Sequence, residues 1–523
     1  MDVQAAGSTF LKLAIELQVK VLQKLGLGDL TRCTRVCKQL RSLVTAATAL
    51  QYKMELERAG MVDGPAEVPL PVKLEKIRAR NAAWDTAFPL HVVVQPPPRS
   101  GFVPSLPGGV FFRLGTIGDA WTLHRPAWPE VDTSGGLEDR SISLTSHEIS
   151  TTGMSSSDQS SPCAVNPEED LVVFVKGRSV PDGIPQCVII SIAQNKIDTS
   201  WTSQLVFSDL ETPVMDFVQS VGDLLSWSRI NVFYSAGQGE LRVMNWQTGA
   251  IVWRSLWTTS GRCLLLDTSH VMVVDHKGLF IYEFDPHTSA SIPPDWATEA
   301  SCLLHLEFPA FGVPDPDIMF LRTHEPGARY FRSDRPFFRE DPDITVLAVY
   351  FNCLYGHNME DLILVIPLAT IHARLSQPQI HDQQETVRVP WSDWGPDGTR
   401  LLRLARQPNY ITTWGSRVAI SLAPPRSGLD RDVFIVDVRP HSRKDSFGGG
   451  AQDVPIAMGK SDAPIDASDT MSVQSFAETV TTRLPYRMAH IKACLFDVPN
   501  VIQSLDGRLT HDGMVFMVSS RPG

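Results

Sequence analysis

A mainly β fold with an α-helical module at its N-terminal end is the class this sequence predicts, on three observations. Apolar residues recur at helical spacing through residues 9–90. Beyond residue 90 the period becomes two. Turn residues then cut the chain into strand-length pieces at short intervals, a pattern of sandwiches, barrels and propellers. The resulting division is a helical module over 9–56, a connecting helix within 57–90 and a β-rich body over 91–522.

The helical elements follow in order. Leu17, Val21 and Leu25 stand at i, i+4 and i+8, on one face of a first helix. Gly26 and Gly28 end it, and Asp29 is a suitable N-cap for the second. There Leu30, Cys33, Cys37, Leu40 and Val44 form a stripe, widened by Val36 and Leu43. A third run holds Ala47, Leu50 and Met54 and stops at Gly60. Helices this short bury little surface alone, so their apolar excess needs a cover, either the downstream domain or a partner. Gly64, Pro65, Pro69 and Pro71 then make a break, and Leu74, Ile77, Asn81 and Trp84 mark a fourth helix that connects to the body.

In the body, strands are expected over 91–94, 110–114, 171–175, 188–192, 230–234, 240–245, 251–253, 271–274, 279–284, 344–351, 362–366, 417–422 and 432–438. Residues 132–162, rich in Ser, Thr and Gly, and 441–478, with Gly448-Gly449-Gly450, read as flexible inserts. The unit from Gly239 to Arg254 is a hairpin turning through Gln247-Thr248-Gly249, and residues 278–286 echo it.

Composition narrows the function. The chain has 523 residues, 43% hydrophobic, with a formal net charge of −11. Acidic balance without long Lys/Arg runs argues against nucleic acid as a partner. The longest apolar runs, such as 344–351, are strand-sized, so no membrane span is expected. No basic-then-apolar leader opens the chain, and a cytoplasmic or nuclear location is expected. The eight cysteines are scattered, without C-x-x-C spacing. Cys33 and Cys37, one turn apart, are read as core filling rather than metal ligands.

No catalytic motif is present: no G-x-S-x-G, P-loop, H-E-x-x-H or G-x-G-x-x-G after a strand. His270 and His276, or His372 and His381, lack partners at ligand spacing. Asp315-Pro316-Asp317 and Glu340-Asp341-Pro342-Asp343 read as solvated turns. No enzyme activity, cofactor or metal is therefore expected. The Trp391-Ser392-Asp393-Trp394 cluster reads either as packing between sheets or as a binding face. Arg400, Arg403 and Arg406 are candidates for a phosphate-binding pocket.

Leu13-Ala14-Ile15-Glu16-Leu17, the Asp29-Leu30 turn and Val36-Cys37-Lys38-Gln39-Leu40-Arg41, in this order, resemble an F-box. The resemblance implies a three-helix domain that binds the Skp-type adaptor of a cullin–RING ubiquitin ligase complex, with Leu13, Ala14, Ile15, Leu17, Leu30, Val36, Cys37 and Leu40 carrying or holding the adaptor surface. The family has proline where Ala14 stands and tryptophan where Leu40 stands. Arg78, Arg80 and the closing Trp84, and the string from Trp391 to Arg400, resemble segments of fungal F-box proteins of the mushroom group. The hairpin at Gly239 to Arg254 resembles the outer hairpin of a propeller blade of the WD or quinoprotein type, which implies about seven blades. The function implied is a substrate receptor for an unknown protein target. Two alternatives stay open: a scaffold that keeps the F-box fold without ligase duty, and a quinoprotein-like enzyme, which would need the Trp246-to-Trp253 motif repeated round a ring.

Overall fold

The computed structural model describes residues 9–64, 67–86, 104–105, 112–117, 120–125, 140–145, 162–166, 171–175, 187–191, 196–197, 214–230, 239–248, 250–257, 262–287, 302–312, 317–324, 338–355, 358–377, 386–422, 432–439, 465–466, 468–492, 502–510 and 513–520. A 3₁₀ turn at Thr9–Lys12 leads into α1 (Ile15–Leu22), α2 (Leu27–Val36), α3 (Lys38–Ala46) and α4 (Thr48–Ala59). α5 (Leu70–Thr86) follows.

The module thus has four helices where the sequence suggested three. The stripe from Leu30 to Val44 is broken at Cys37, which is extended (φ −154°, ψ 164°). Its Sγ accepts the Leu40 N–H at 3.4 Å, so the thiol caps α3. The second helix also begins earlier than expected, at Leu27 rather than after Asp29. Its N-cap is Gly26, and its first N–H, that of Leu27, is met at 2.5 Å by the Glu57 carboxylate from α4. A carboxylate there suits the positive end of the helix. Leu22, Leu27, Leu30, Val44, Leu50 and Met54 form the core of the module, with Leu25, Cys33, Leu40 and Leu43 packed against it.

Beyond residue 100 the described strands form small sheets in chain order, mostly antiparallel. Pro104–Ser105, Phe112–Ile117, Ala120–Arg125 and Arg140–Thr145 make the first; Pro162–Asn166, Leu171–Val175, Cys187–Ser191 and Lys196–Ile197 the second. The third joins Val214–Val221, Leu224–Ile230, Gly239–Asn245 and Ile251–Trp257. The fourth joins Arg262–Leu265, His270–Val274, Gly278–Glu283 and Cys302–Glu307, with Val387–Val389 added in parallel. The fifth holds Asp317–His324, Val346–Tyr355, Asn358–Pro367, Arg400–Leu404 and Ile465–Asp466. Pro408–Trp414, Arg417–Leu422, Asp432–Asp437 and Arg487–Lys492 make the sixth, and Ile502–Thr510 pairs with Gly513–Ser520 in a terminal hairpin. The described residues give a β-rich body of several small sheets.

Both faces of the middle sheets are apolar. Val271 and Val273 face a cluster shared with the third sheet, whereas Met272 and Val274 face one shared with the fifth. Leu347, Val349 and Phe351 join that second cluster, and Val346, Ala348 and Tyr350 join the one shared with the sixth sheet. A sheet covered on both sides needs continuous apolar strands, which is why 344–351 reads as an unbroken run.

The hairpin expected at 239–254 is present: Gly239–Asn245 pairs with Ile251–Trp257, and Asn245 Oδ1 accepts the Gln247 and Thr248 N–H groups at 3.0 Å. Gly249, and the strand expected at 91–94, lie outside the described residues. Parts of the two stretches read as inserts are among the described residues. Arg140–Thr145, inside 132–162, is a strand paired with Ala120–Arg125. Within 441–478, Met471, Val473 and Phe476 are buried in the core between the fourth and fifth sheets. The polar composition of 441–478 hid these short apolar anchors.

The helices join the body through an extended, interlocked contact. Met61–Asp63 pairs with Phe338–Glu340, and Phe338 is buried among Tyr52, Leu56, Ala59, Met61, Leu74 and Ile77. The buried Arg80 guanidinium lies over the Phe338 ring at 5.7 Å. Asn81 Nδ2 donates to the Glu55 carbonyl at 3.1 Å. Trp84 packs on Val433 and Ile435 under Arg417, 4.3 Å from its ring centre. Phe88, which by its position in the sequence would join Trp84 in this role, lies outside the described residues.

Candidate protein-docking site on the helical module

Helix α1 turns its inner face to the module core through Gln18 and Leu22, with Val19 half-buried. That rotation differs from the sequence expectation, in which Leu17, Val21 and Leu25 shared the inner face. Leu25 does pack on the core, but Leu17 and Val21 are 50% and 48% exposed. The cause is Gln18. Its buried amide donates from Nε2 to the Leu13 carbonyl at 2.7 Å and to the Leu11 carbonyl at 3.4 Å. Those bonds satisfy both the amide and the carbonyls of the turn before α1, and they fix the segment that carries Leu13.

Leu13, Ile15, Leu17, Val21 and Val36 are all exposed, Val36 by 71%. They are five of the seven exposed large hydrophobics among the described residues, the others being Val72 and Met359. Single exposed apolar residues are ordinary, whereas a concentration on one small element marks an interaction surface.

The residues singled out from the sequence fall into three groups. Leu13, Ala14, Ile15, Leu17 and Val36 are exposed. Cys37 and Leu40 are half-buried; Cys37 caps α3 and Leu40 packs on the core. Leu30 is wholly buried, the place of a residue that holds the surface from beneath rather than one that touches a partner. Ala14 is the N-cap of α1, with φ −57° and ψ 145°. That φ lies inside the range a proline ring imposes, so the alanine keeps the backbone geometry that a proline would fix.

Residues 10–47 match the F-box domain family. This segment is an F-box domain. Among curated proteins, none matches the chain. F-box domains typically bind Skp-type adaptors in cullin–RING complexes, and the domain gives the chain a role in ubiquitin-ligase substrate recognition or protein–protein interaction. Sequence reasoning missed Val21 and Gln18. The signal for both was a second face, since Leu22 and Leu25 stand four and seven positions beyond Gln18, which leaves Val21 outside with Leu17.

The other candidate sites are occupied by structural work. Arg400 is buried, ion-paired from Nη1 to Asp469 at 2.8 Å, donating from Nε to the Leu484 carbonyl at 2.8 Å and lying over Tyr486. Arg403 pairs with buried Glu360 at 3.3 Å. These two arginines are committed to the fold rather than to a phosphate pocket. Most of the Trp391 string forms a helix, α6, spanning Trp391–Gly398. Trp394 is buried there, donating from Nε1 to the Glu307 carbonyl at 2.9 Å, with Trp391 edge-on to it at 5.2 Å. Packing is therefore the role of that cluster.

Asp267, Ser269 and His270 bring a carboxylate, a hydroxyl and an imidazole together without forming a nucleophile. Both Asp267 and Ser269 contact the same ring nitrogen, Nδ1, at 2.9 Å and 3.1 Å. A catalytic relay would need the two on opposite nitrogens. The Asp267 hydrogen bond raises His270 above its ordinary range, against the effect of burial. Burial pushes Asp267 up, but bonds from His270 and the Ser269 N–H bring it down to about 2.

Proposed function

We propose that this chain is the substrate-recognition subunit of an SCF-type cullin–RING ubiquitin ligase. Its F-box docks on the Skp-type adaptor, and its β body binds the protein to be modified. The observation that carries this reading is the concentration of exposed apolar side chains on the F-box: Leu13, Ile15, Leu17, Val21 and Val36. The chain catalyses no bond change in this reading and needs no cofactor. It raises the effective concentration of the target beside the ubiquitin-charged enzyme, in the cytoplasm or nucleus.

The body is read as a β-propeller of about seven blades. Six sheets of four or five strands follow one another in chain order, and a terminal hairpin supplies part of a further blade. From the third sheet to the sixth, each shares an apolar cluster with the next, as blades do. Target selection would then fall to loops between strands.

The test uses the full chain and purified Skp-type adaptor in isothermal titration calorimetry, beside a Leu17→Asp/Val36→Asp double variant. Both side chains are exposed, so the variant should fold, which its melting curve checks. Binding by the native chain and its loss in the variant support the receptor reading. A folded native chain that does not bind the adaptor gives precedence to a non-ligase scaffold, the reading favoured by alanine and leucine at positions 14 and 40.

A further inference from the structure

Charge is divided unevenly along the chain. Residues 9–56 hold eight Lys/Arg and three Asp/Glu, a formal +5 within a chain of −11, so the remainder carries −16. The positive charge sits on the docking surface. Lys12 adjoins Leu13, and Lys38 stands two residues beyond Val36. Leu17, Lys20, Val21 and Lys24 follow one another along one side of α1 and the turn after it, since positions three and four apart are neighbours on a helix. All four lysines are exposed, and among the described residues none forms an ion pair with a carboxylate.

The negative groups of the module are few. Glu16 is exposed beside Ile15. Asp29 is paired with Arg32 at 2.7 Å. Glu55 is drawn to Arg58 at 3.0 Å and Arg78 at 3.7 Å, and Glu57 to Lys53 at 2.7 Å while it caps α2. The lysines thus serve no described contact within the fold and stand beside four of the five exposed apolar side chains.

We propose that the F-box surface is built for a partner whose contacting face is acidic around an apolar seat, and that charge steers the two together; this inference rests on the adaptor reading above. The partner is a protein rather than a membrane. The exposed apolar residues are spread over α1, the turn before it and the α2–α3 junction, and α1 has only 8 residues, whereas an interfacial helix carries one long continuous stripe. Exposed ion pairs contribute little to affinity, about 0–1 kcal/mol each. Their effect falls on the encounter rate, and it is screened over a Debye length of about 8 Å at physiological salt.

The experiment measures association and dissociation rates of the full chain with purified Skp-type adaptor from low to high ionic strength. A second arm uses Lys12→Glu, Lys20→Glu, Lys24→Glu and Lys38→Glu combined, and a milder arm uses glutamine at the same positions. The expected result is an association rate that falls steeply with salt for the native chain. Charge reversal should lower it about tenfold or more at low salt and flatten the salt dependence, with dissociation nearly unchanged. The glutamine variant should lie between, which keeps the comparison valid if the glutamate variant fails to fold. Adaptor binding whose rate ignores both salt and lysine charge overturns the steering and leaves the receptor reading standing. A folded native chain that binds no adaptor overturns both. In that case lysine-dependent binding to phosphatidylserine vesicles, or lysine-dependent self-association, would assign the surface to a membrane or to the acidic body of a second copy.

Discussion

Arg439 Nη1 donates a hydrogen bond of 2.9 Å to the carbonyl oxygen of Arg58, 381 positions earlier in the chain. The acceptor lies in the last turn of α4, where carbonyls lack intrahelical partners and a cation is favoured. Arg439 is held from the other side by Asp437, whose Oδ2 lies 2.6 Å from its Nε and 3.2 Å from Arg417 Nε. Arg417 in turn covers Trp84 of α5. One buried carboxylate thus organises two arginines that grip both helices leading from the F-box. In a ligase receptor this joint would fix the distance between adaptor and target.

Acidification should loosen that joint. Burial pushes the Asp437 carboxyl up, but Arg439 and Arg417 outweigh it and hold the group below its usual range. A depressed folded value means the stabilisation is present above the ordinary carboxylate pKa and is lost as pH falls through the depressed one. The melting temperature of native protein should therefore drop below about pH 4, and Asp437→Asn should be less stable at neutral pH with a flatter acid limb. Differential scanning fluorimetry across pH reads both. An Asp437→Asn chain as stable as the native one at pH 7 would refute the assignment.

Gly60 is a second fixed point. Its φ of 68° ends α4, and an added Cβ would collide with Ile344 Cδ1. Gly60→Ala should destabilise the chain by more than about 1 kcal/mol, combining backbone strain with overpacking. Adding Ile344→Val removes the clashing carbon, so the double variant should recover part of the loss in a urea denaturation cycle. Strict additivity would show that the steric term is absent.

Phe338 makes the same joint depend on apolar burial. It is wholly buried between α4 and α5 although it belongs to the body. Phe338→Ala should cost about 3–5 kcal/mol, measured by chemical denaturation. A helical fragment ending before the body would lack this side chain and expose Tyr52, Leu56 and Ile77.

Much of this was legible locally. The F-box order of residues, the stop at Gly60, the spacing of Leu74, Ile77, Asn81 and Trp84, and the apolar run at 344–351 all depend on neighbours a few positions away. What escaped depends on distant partners or on single polar atoms. Cys37 reads as one more apolar residue in a stripe, yet its thiol meets the Leu40 N–H and splits the helix. Gln18 is polar by type and buried by the two carbonyls it satisfies. Nothing near residue 56 announces that Phe338 fills its core. Within 441–478, composition averages over short anchors such as Val473 and Phe476, whose burial depends on the distant fourth and fifth sheets.

Gln18 itself gives a test of how the docking surface is held. Gln18→Ala removes both bonds to the Leu11 and Leu13 carbonyls. The exposed turn can turn to water for replacement partners, so the global cost should be about 1 kcal/mol. Adaptor affinity in titration calorimetry should fall by more than that cost explains, because Leu13 loses its fixed position and ordering it on binding becomes part of the process. Equal affinity with lower stability would make Gln18 purely structural.

Ala14→Pro should act in the opposite sense. Ala14 already has the φ of a proline and opens α1 without a side-chain cap. Proline here restricts the unfolded chain without bending the folded one, which typically stabilises by about 0.4–1 kcal/mol. The preceding Leu13 lies outside the helix, as a residue before proline prefers. The melting temperature should rise, and adaptor binding should hold or tighten as the Leu13–Ile15 segment is preorganised. A fall in stability would mean that the Ala14 N–H has a partner that proline removes, and the alanine would then be a requirement of this F-box rather than a tolerated departure.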